Sequence, residues 1–282
     1  MLHEKSREIM RFAFVVSPSL GYQIPNLFQN DSTFGEFENA LRVLKQYGFD
    51  GVELNLNFDD KEKLDRIKKS IDEAELKLAA VGTGLLYSRD RLSFTDPDSA
   101  KRARALSIVG ELVRFASRDH AAVIIGLVRG TLPQDAEIAE RLLRRGLAEC
   151  DAAAKKYGTK IALEAINRYE TSLLNTADAA AKLIDEEHLS ATGLLLDTFH
   201  MNIEERSITK TIQDSGSRIV HFHIADSNRW PPGYGHLKVE DLLHCLAESG
   251  YNGWVSAELL PRPNNTQAVM DTSQFLKTHK FI

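Results

Sequence analysis

The sequence predicts a single-domain α/β fold, a closed (β/α)8 TIM barrel, and three observations carry that prediction. Apolar strand candidates alternate strictly with helical stretches, eight of each. Each strand candidate is a near-continuous apolar run, as in parallel sheets covered on both faces. The last four strand candidates also end in ionisable residues, as barrel strands do where they reach the active rim.

The strand candidates lie at 12–17, 51–56, 78–83, 122–128, 160–165, 192–197, 218–224 and 253–259. The helical stretches between and after them lie at 34–47, 61–75, 99–117, 136–157, 177–187, 207–214, 239–249 and 266–278. Residues 1–11 read as a polar N-terminal arm and 12–282 as the barrel. Thr33-Phe34-Gly35-Glu36 reads as a capping box, and Asp96-Pro97-Asp98 as a cap followed by a proline in the first helical position. Gly48, Gly158, Gly216 and Gly250 each follow a helical stretch, as C-terminal caps do. Eight such units favour a closed barrel over an open doubly wound sheet. Neither GxGxxG nor GxxxxGK[ST] follows a strand, so the usual nucleotide-binding alternatives lose support.

Bulk composition narrows the function. The 282 residues are 43% hydrophobic and 27% charged, with a net charge of −5, so no overall basic field attracts nucleic acid or an anionic membrane. Cys150 and Cys245 are far apart and form neither a disulfide framework nor a zinc pattern. No apolar run approaches the ~18 residues of a membrane span, and the N-terminus lacks a signal-peptide core. The expected location is cytoplasmic.

Side chains alternate along a strand, which phases the rim. On strand five, Ala162, Glu164 and Ile166 share one face, and Ile161, Leu163 and Ala165 share the other. Turning the second set toward the helices points Glu164 into the barrel mouth. The same phase selects Asp197 on strand six, His221 and His223 on strand seven, and Trp254, Ser256 and Glu258 on strand eight. Three carboxylates packed together would repel and resist ionisation, and a divalent cation resolves the conflict. Three oxygen donors and one nitrogen suit Mn2+, Mg2+, Co2+ or Zn2+, with Mn2+ the first expectation. His221, two residues deeper than His223, is expected to pack or to support the ligands. Strand seven runs on into Asp226 and Arg229, and the latter is expected in a loop over the mouth.

The segments LEAINRYET, LLLDTFHMNIEE, HFHIADSNRWPPGYGH and WVSAELLPRPN resemble the xylose-isomerase-like TIM barrels, in particular the ketose 3-epimerases typified by D-tagatose and D-psicose 3-epimerase. The resemblance spans the barrel, with its specific part from strand five onward. It implies Glu164, Asp197, His223 and Glu258 as ligands of one divalent metal ion. Glu164 and Glu258 would also move the proton. His200 and Arg229 would surround the substrate carbonyl oxygen, and Glu170 would hold a terminal hydroxyl. It further implies a small sugar substrate and a homo-oligomer, either dimer or tetramer.

The first half says less. Glu53, Asn55 and Arg129 are expected at the mouth, with structural hydrogen bonds as the alternative, and loop 85–96 could form a substrate wall. His236 could touch substrate or pin its loop. Epimerisation at C3 of a ketose, or of a keto-sugar phosphate, is the leading expectation. Its rivals are aldose–ketose isomerisation of the hydroxypyruvate isomerase type, keto-inositol dehydration, and sugar binding without turnover. An abasic-site endonuclease would need more His and carboxylate ligands and a basic groove, neither visible here.

Overall fold

A computed structural model describes residues 10–131 and 136–282. The expected N-terminal arm falls largely on residues 1–9, outside the described residues, and Arg11 already belongs to the first strand. The strands are β1 (Arg11–Val16), β2 (Gly51–Asn55), β3 (Lys77–Gly82), β4 (Ala122–Ile125), β5 (Ile161–Glu164), β6 (Thr192–Asp197), β7 (Ile219–Ile224) and β8 (Trp254–Ala257). All pair in parallel in chain order, and β8 returns to β1, where Ala13 lies opposite Ser256. The barrel is therefore closed, and no sheet edge remains to be protected.

Among the described residues eight principal helices cover the outside. They are α1 (Asp31–Gln46), α2 (Lys61–Glu73), α4 (Ser99–Ala116), α5 (Ala136–Tyr157), α6 (Ala177–Glu186), α8 (Ile208–Ser215), α9 (Val239–Glu248) and α10 (Asn265–Thr278). Two short helices, α3 (Gly84–Ser88) and α7 (Thr198–Glu204), follow β3 and β6 directly and were not anticipated. No helix among the described residues is long and apolar enough to cross a membrane.

Alternation along the strands sorts two cores. Phe12, Phe14, Val52, Leu54, Ile161, Leu163, Leu194, Leu196, Phe222 and Val255 face the helices and join one continuous cluster. The inward set is smaller: Ala80, Ala122, Ile124, Ala162 and Leu195 fill the barrel, and Trp254 packs on Ala13 and Ala79. That taper is what eight strands leave room for. Gly51 is required because a Cβ there would lie 2.6 Å from the Lys77 carbonyl and 2.8 Å from the Trp254 ring.

Gly48, Gly158, Gly216 and Gly250 all have positive φ at the ends of their helices, as expected. The N-terminal signals need correction. Asn30, not Thr33, caps α1, and Thr33 closes the box from the third helical position. Asp98 caps α4, so Pro97 precedes the cap and does not open the helix. Asparagine and aspartate accept a helix N–H at least as well as threonine does, and the chain takes the earlier start in α1. β4 stops at Ile125 and Leu127–Arg129 turns into a 3-10 helix, while Glu258 lies one residue beyond β8.

Candidate active site

The C-terminal ends of the strands open into a cleft lined by Glu53, Glu164, His200, His223, Arg229 and Glu258. Glu164, His223 and Glu258 line it and Asp197 lies beside them, each of the four offering one donor atom, all within 4.8 Å of one another. Asp197 and His223 are Cα partners across β6 and β7, and Ser256, two residues before Glu258, partners His223 across β7 and β8. Strand register thus sets the level of three donors. Glu164 enters from β5, where Gly126 makes room: a Cβ at that position would stand 2.5 Å from Glu164 Oε2.

Arg229 spans the cluster. Its Nη1 donates to Asp197 Oδ1 at 2.7 Å and Oδ2 at 2.6 Å, and its Nη2 donates to Glu258 Oε2 at 2.5 Å. The Phe199 ring lies beneath the guanidinium, 4.9 Å from ring centre to Cζ. Arg229 sits at φ +63°, inside a loop fastened by Asp226. The Asp226 carboxylate accepts the backbone N–H groups of Ser227, Gly233 and Leu237 at 2.7, 2.8 and 3.0 Å.

Charge in this buried setting is strongly polarised. Burial opposes ionisation of Asp197 and Glu258, yet both carboxyls are held below their usual range, chiefly by Arg229, His200 and His223 around Asp197 and by His223 and Arg229 around Glu258. Burial likewise disfavours the imidazolium of His223, but the Glu53 and Glu258 carboxylates outweigh it and raise the pKa well above normal. Burial also opposes charge on His200, and Asp197 and Glu164 overcome it. For His221 burial prevails and the pKa falls.

The donor set fits a hard divalent cation, and one atom makes the case sharper. His223 Nδ1 is buried and makes no hydrogen bond, although it lies 3.0 Å from Glu258 Oε2 and 3.4 Å from Asp197 Oδ2. Between these carboxylates the nitrogen holds either a proton or a cation, and a cation among them would take its lone pair.

His200 opens the cleft wall from α7. Asp197 caps that helix by accepting from the backbone N–H groups of Phe199 and His200. His200 Nε2 is 3.5 Å from Glu164 Oε1. Asn167, which sequence reading passed over, lies with its Nδ2 2.7 Å from His200 Nδ1 and donates to Glu170 Oε1 at 2.8 Å. An amide three residues before Glu170 was the available signal.

The remaining expectations divide. Glu53 and Asn55 line the cleft, and so do Leu85 and Ser88, which belong to helix α3 and not to a loop. Arg129 does not face the mouth: it is fully buried and donates to the carbonyls of Glu164, Leu173 and Leu174. The 3-10 turn after Gly126 swings it under the β5 loop, and burial pushes its guanidinium down to about 10. His236 is exposed and its backbone N–H pins the loop to Ser227 Oγ.

Comparison with known proteins places this geometry. Residues 41–279 match the model of the xylose isomerase-like TIM barrel family. A D-psicose 3-epimerase of Enterocloster bolteae is 28% identical over 254 residues, covering 86% of this chain and 83% of the relative. A 3-dehydro-D-guloside 4-epimerase of Escherichia coli is 27% identical over 260 residues, covering 89% and 98%. Among solved structures, an L-ribulose 3-epimerase superposes with a TM-score of 0.80 at 22% identity, covering 96% of this chain and 95% of that one.

Proposed function

Since the chain belongs to the xylose isomerase-like TIM barrel family and is an enzyme of the epimerase and isomerase class, we propose that it is a divalent-metal-dependent 3-epimerase of unphosphorylated ketoses. Glu164, Asp197, His223 and Glu258 would hold one cation, Mn2+ first and Mg2+, Co2+ or Zn2+ as alternatives. Such a cation supplies Lewis acidity, worth several kcal/mol, toward the negative charge that develops on the substrate oxygens.

One observation carries the reading: two carboxylates, Glu164 and Glu258, enter one small cleft from β5 and from the end of β8. A proton on C3 of a ketose is acidified by the neighbouring C2 carbonyl. One carboxylate takes that proton, leaving an enediolate across C2 and C3. The other returns a proton to the opposite face of C3, and the configuration inverts. Each transfer contributes about 10²–10⁴-fold. Arg229 and His200 stabilise negative charge on O2, while Glu170, held by Asn167, receives a distal hydroxyl.

The cleft lining argues for an uncharged sugar. Arg129 is engaged by carbonyls, and Arg168 by Glu204 at 2.8 Å outside the cleft. Glu170 lines the cleft, and a carboxylate there disfavours a phosphorylated sugar. A homo-oligomer, dimer or tetramer, belongs to the same reading, and sedimentation analysis tests it.

Epimerisation one carbon along is the second reading, favoured by the E. coli relative, which this chain covers almost end to end. There the carbonyl stands at C3 and the exchanging proton at C4. Incubation of Mn2+-loaded enzyme in D2O with ketohexoses, ketopentoses and 3-keto-sugars, followed by NMR, separates the two. Deuterium at C3 with inversion supports the proposal. Deuterium at C4 selects the second reading, and label at C1 with aldose formation selects an isomerase. No label in any sugar overturns all three.

A further inference from the structure

We propose that Glu53 is a positioning residue for the cation site, its carboxylate selecting the His223 tautomer that turns the Nδ1 lone pair toward Asp197 and Glu258. The inference rests on the reading of Glu164, Asp197, His223 and Glu258 as ligands.

Glu53 comes from β2 and reaches across the barrel interior to β7. Its Oε2 lies 2.8 Å from His221 Nε2 and 3.1 Å from His223 Nε2, and all three side chains are buried. An ionised carboxylate only accepts hydrogen bonds, so both Nε2 atoms must carry hydrogen. A neutral imidazole protonated at Nε2 has its lone pair on Nδ1. In His223 that is the atom facing the candidate ligand carboxylates with no hydrogen bond of its own.

The support is itself built. His221 Nε2 also meets Ser256 Oγ at 3.0 Å, and the two imidazoles stand edge to face, 5.1 Å apart at 86°. Glu53 thus receives two converging N–H groups in an interior where an unpaired carboxylate would be costly. Its charge lies one imidazole away from the proposed cation, which raises the basicity of the ligating nitrogen.

Glu53, His221 and His223 also lie close enough to be a second cation site in their own right. That would require lone pairs, not hydrogens, on the nitrogens facing Glu53, and the two arrangements give opposite results.

Calorimetric titration of Mn2+ into metal-stripped wild type and Glu53→Gln decides between them, with circular dichroism melting to confirm the fold. Expected are one Mn2+ per wild-type chain and binding weakened about 10–100-fold in the variant. Nitrogen-15 NMR of histidine-labelled wild type loaded with Zn2+ needs no variant, and the expected result is hydrogen on His223 Nε2 with Nδ1 bare. Equal Mn2+ affinity in a folded Glu53→Gln, or two Mn2+ per wild-type chain, overturns the inference while leaving the ligand reading intact. Hydrogen on His223 Nδ1 overturns the inference and also removes His223 from the ligand set. A wild-type chain that binds no Mn2+ removes both.

Discussion

Both oxygens of Asp197 accept from a single nitrogen of Arg229, at 2.7 and 2.6 Å, while Asp197 Oδ1 also receives the first N–H groups of α7. One carboxylate therefore fixes the end of β6, the loop after β7 and the helix that carries His200. Disturbing either partner moves the cleft wall as well as its charge.

Arg229→Lys keeps the charge but cannot make the planar two-nitrogen reach to Asp197 and Glu258. We expect kcat/KM to fall by about 10²-fold or more, the scale of losing one preorganised donor to developing negative charge. Arg229→Met should also lose about 3–5 kcal/mol of stability, because two buried carboxylates lose their partner. Steady-state kinetics and urea unfolding of both variants check the pair of outcomes.

Glu258→Gln is isosteric and leaves the strand pairing untouched. Exchange of the C3 proton with D2O should drop by about 10²–10⁴-fold, the range for a positioned proton carrier. Full exchange in a folded variant would exclude Glu258 from proton transfer. Glu164→Gln is expected to behave alike.

Exhaustive removal of metal with a chelator should abolish turnover, and added Mn2+ should restore it. Thermal melting gives a second readout, since a cation that binds only the folded chain raises the midpoint with concentration. Unchanged activity after verified metal removal would refute cation dependence.

Gly126→Ala separates placement from stability. The new methyl would meet Glu164 Oε2 at 2.5 Å and Ile166 Cδ1 at 3.3 Å, and the carboxylate is the free end of a flexible side chain. It swings aside at little cost to the fold. We expect unfolding free energy within about 1 kcal/mol of wild type, typical of mild substitutions, and kcat down by about 10²-fold, as when a reacting group is misplaced by an ångström.

Asp226 gives a pH dependence of known sign. Burial would raise its pKa, but the backbone N–H groups of Leu237, Ser227, Gly235 and Gly233 more than offset this and leave it below normal. Its contribution is therefore complete above the unfolded value of about 3.9 and disappears as pH falls through the lower folded value. Asp226→Asn should cost about 1.5–3 kcal/mol at pH 7, the worth of hydrogen bonds to a charged group. The gap to wild type should narrow below pH 4. Urea unfolding across pH 2.5–7 measures it.

The barrel was legible because parallel strands covered on both sides read as apolar runs, so Glu164, Asp197, His223 and Glu258 stood out where those runs break. Alternation also turned His221 inward, and Glu53 stood out as a polar residue in an apolar strand. It could not reveal that they touch, since β2 and β7 are not neighbours and contact across a barrel interior leaves no local periodicity. Arg129 misled for a related reason: a charged residue after an apolar strand looks like a rim residue, and only the turn at Leu127–Arg129 buries it. Asn167 escaped notice because an amide signals chemistry only through its partners, His200 and Glu170.

Because β8 pairs with β1 on one side and β7 on the other and carries Glu258 just beyond its end, that carboxylate is held at its level from both flanks. A substitution that loosens β8 from either neighbour would therefore draw Glu258 away from Glu164, Asp197 and His223 while it opens the seam of the barrel.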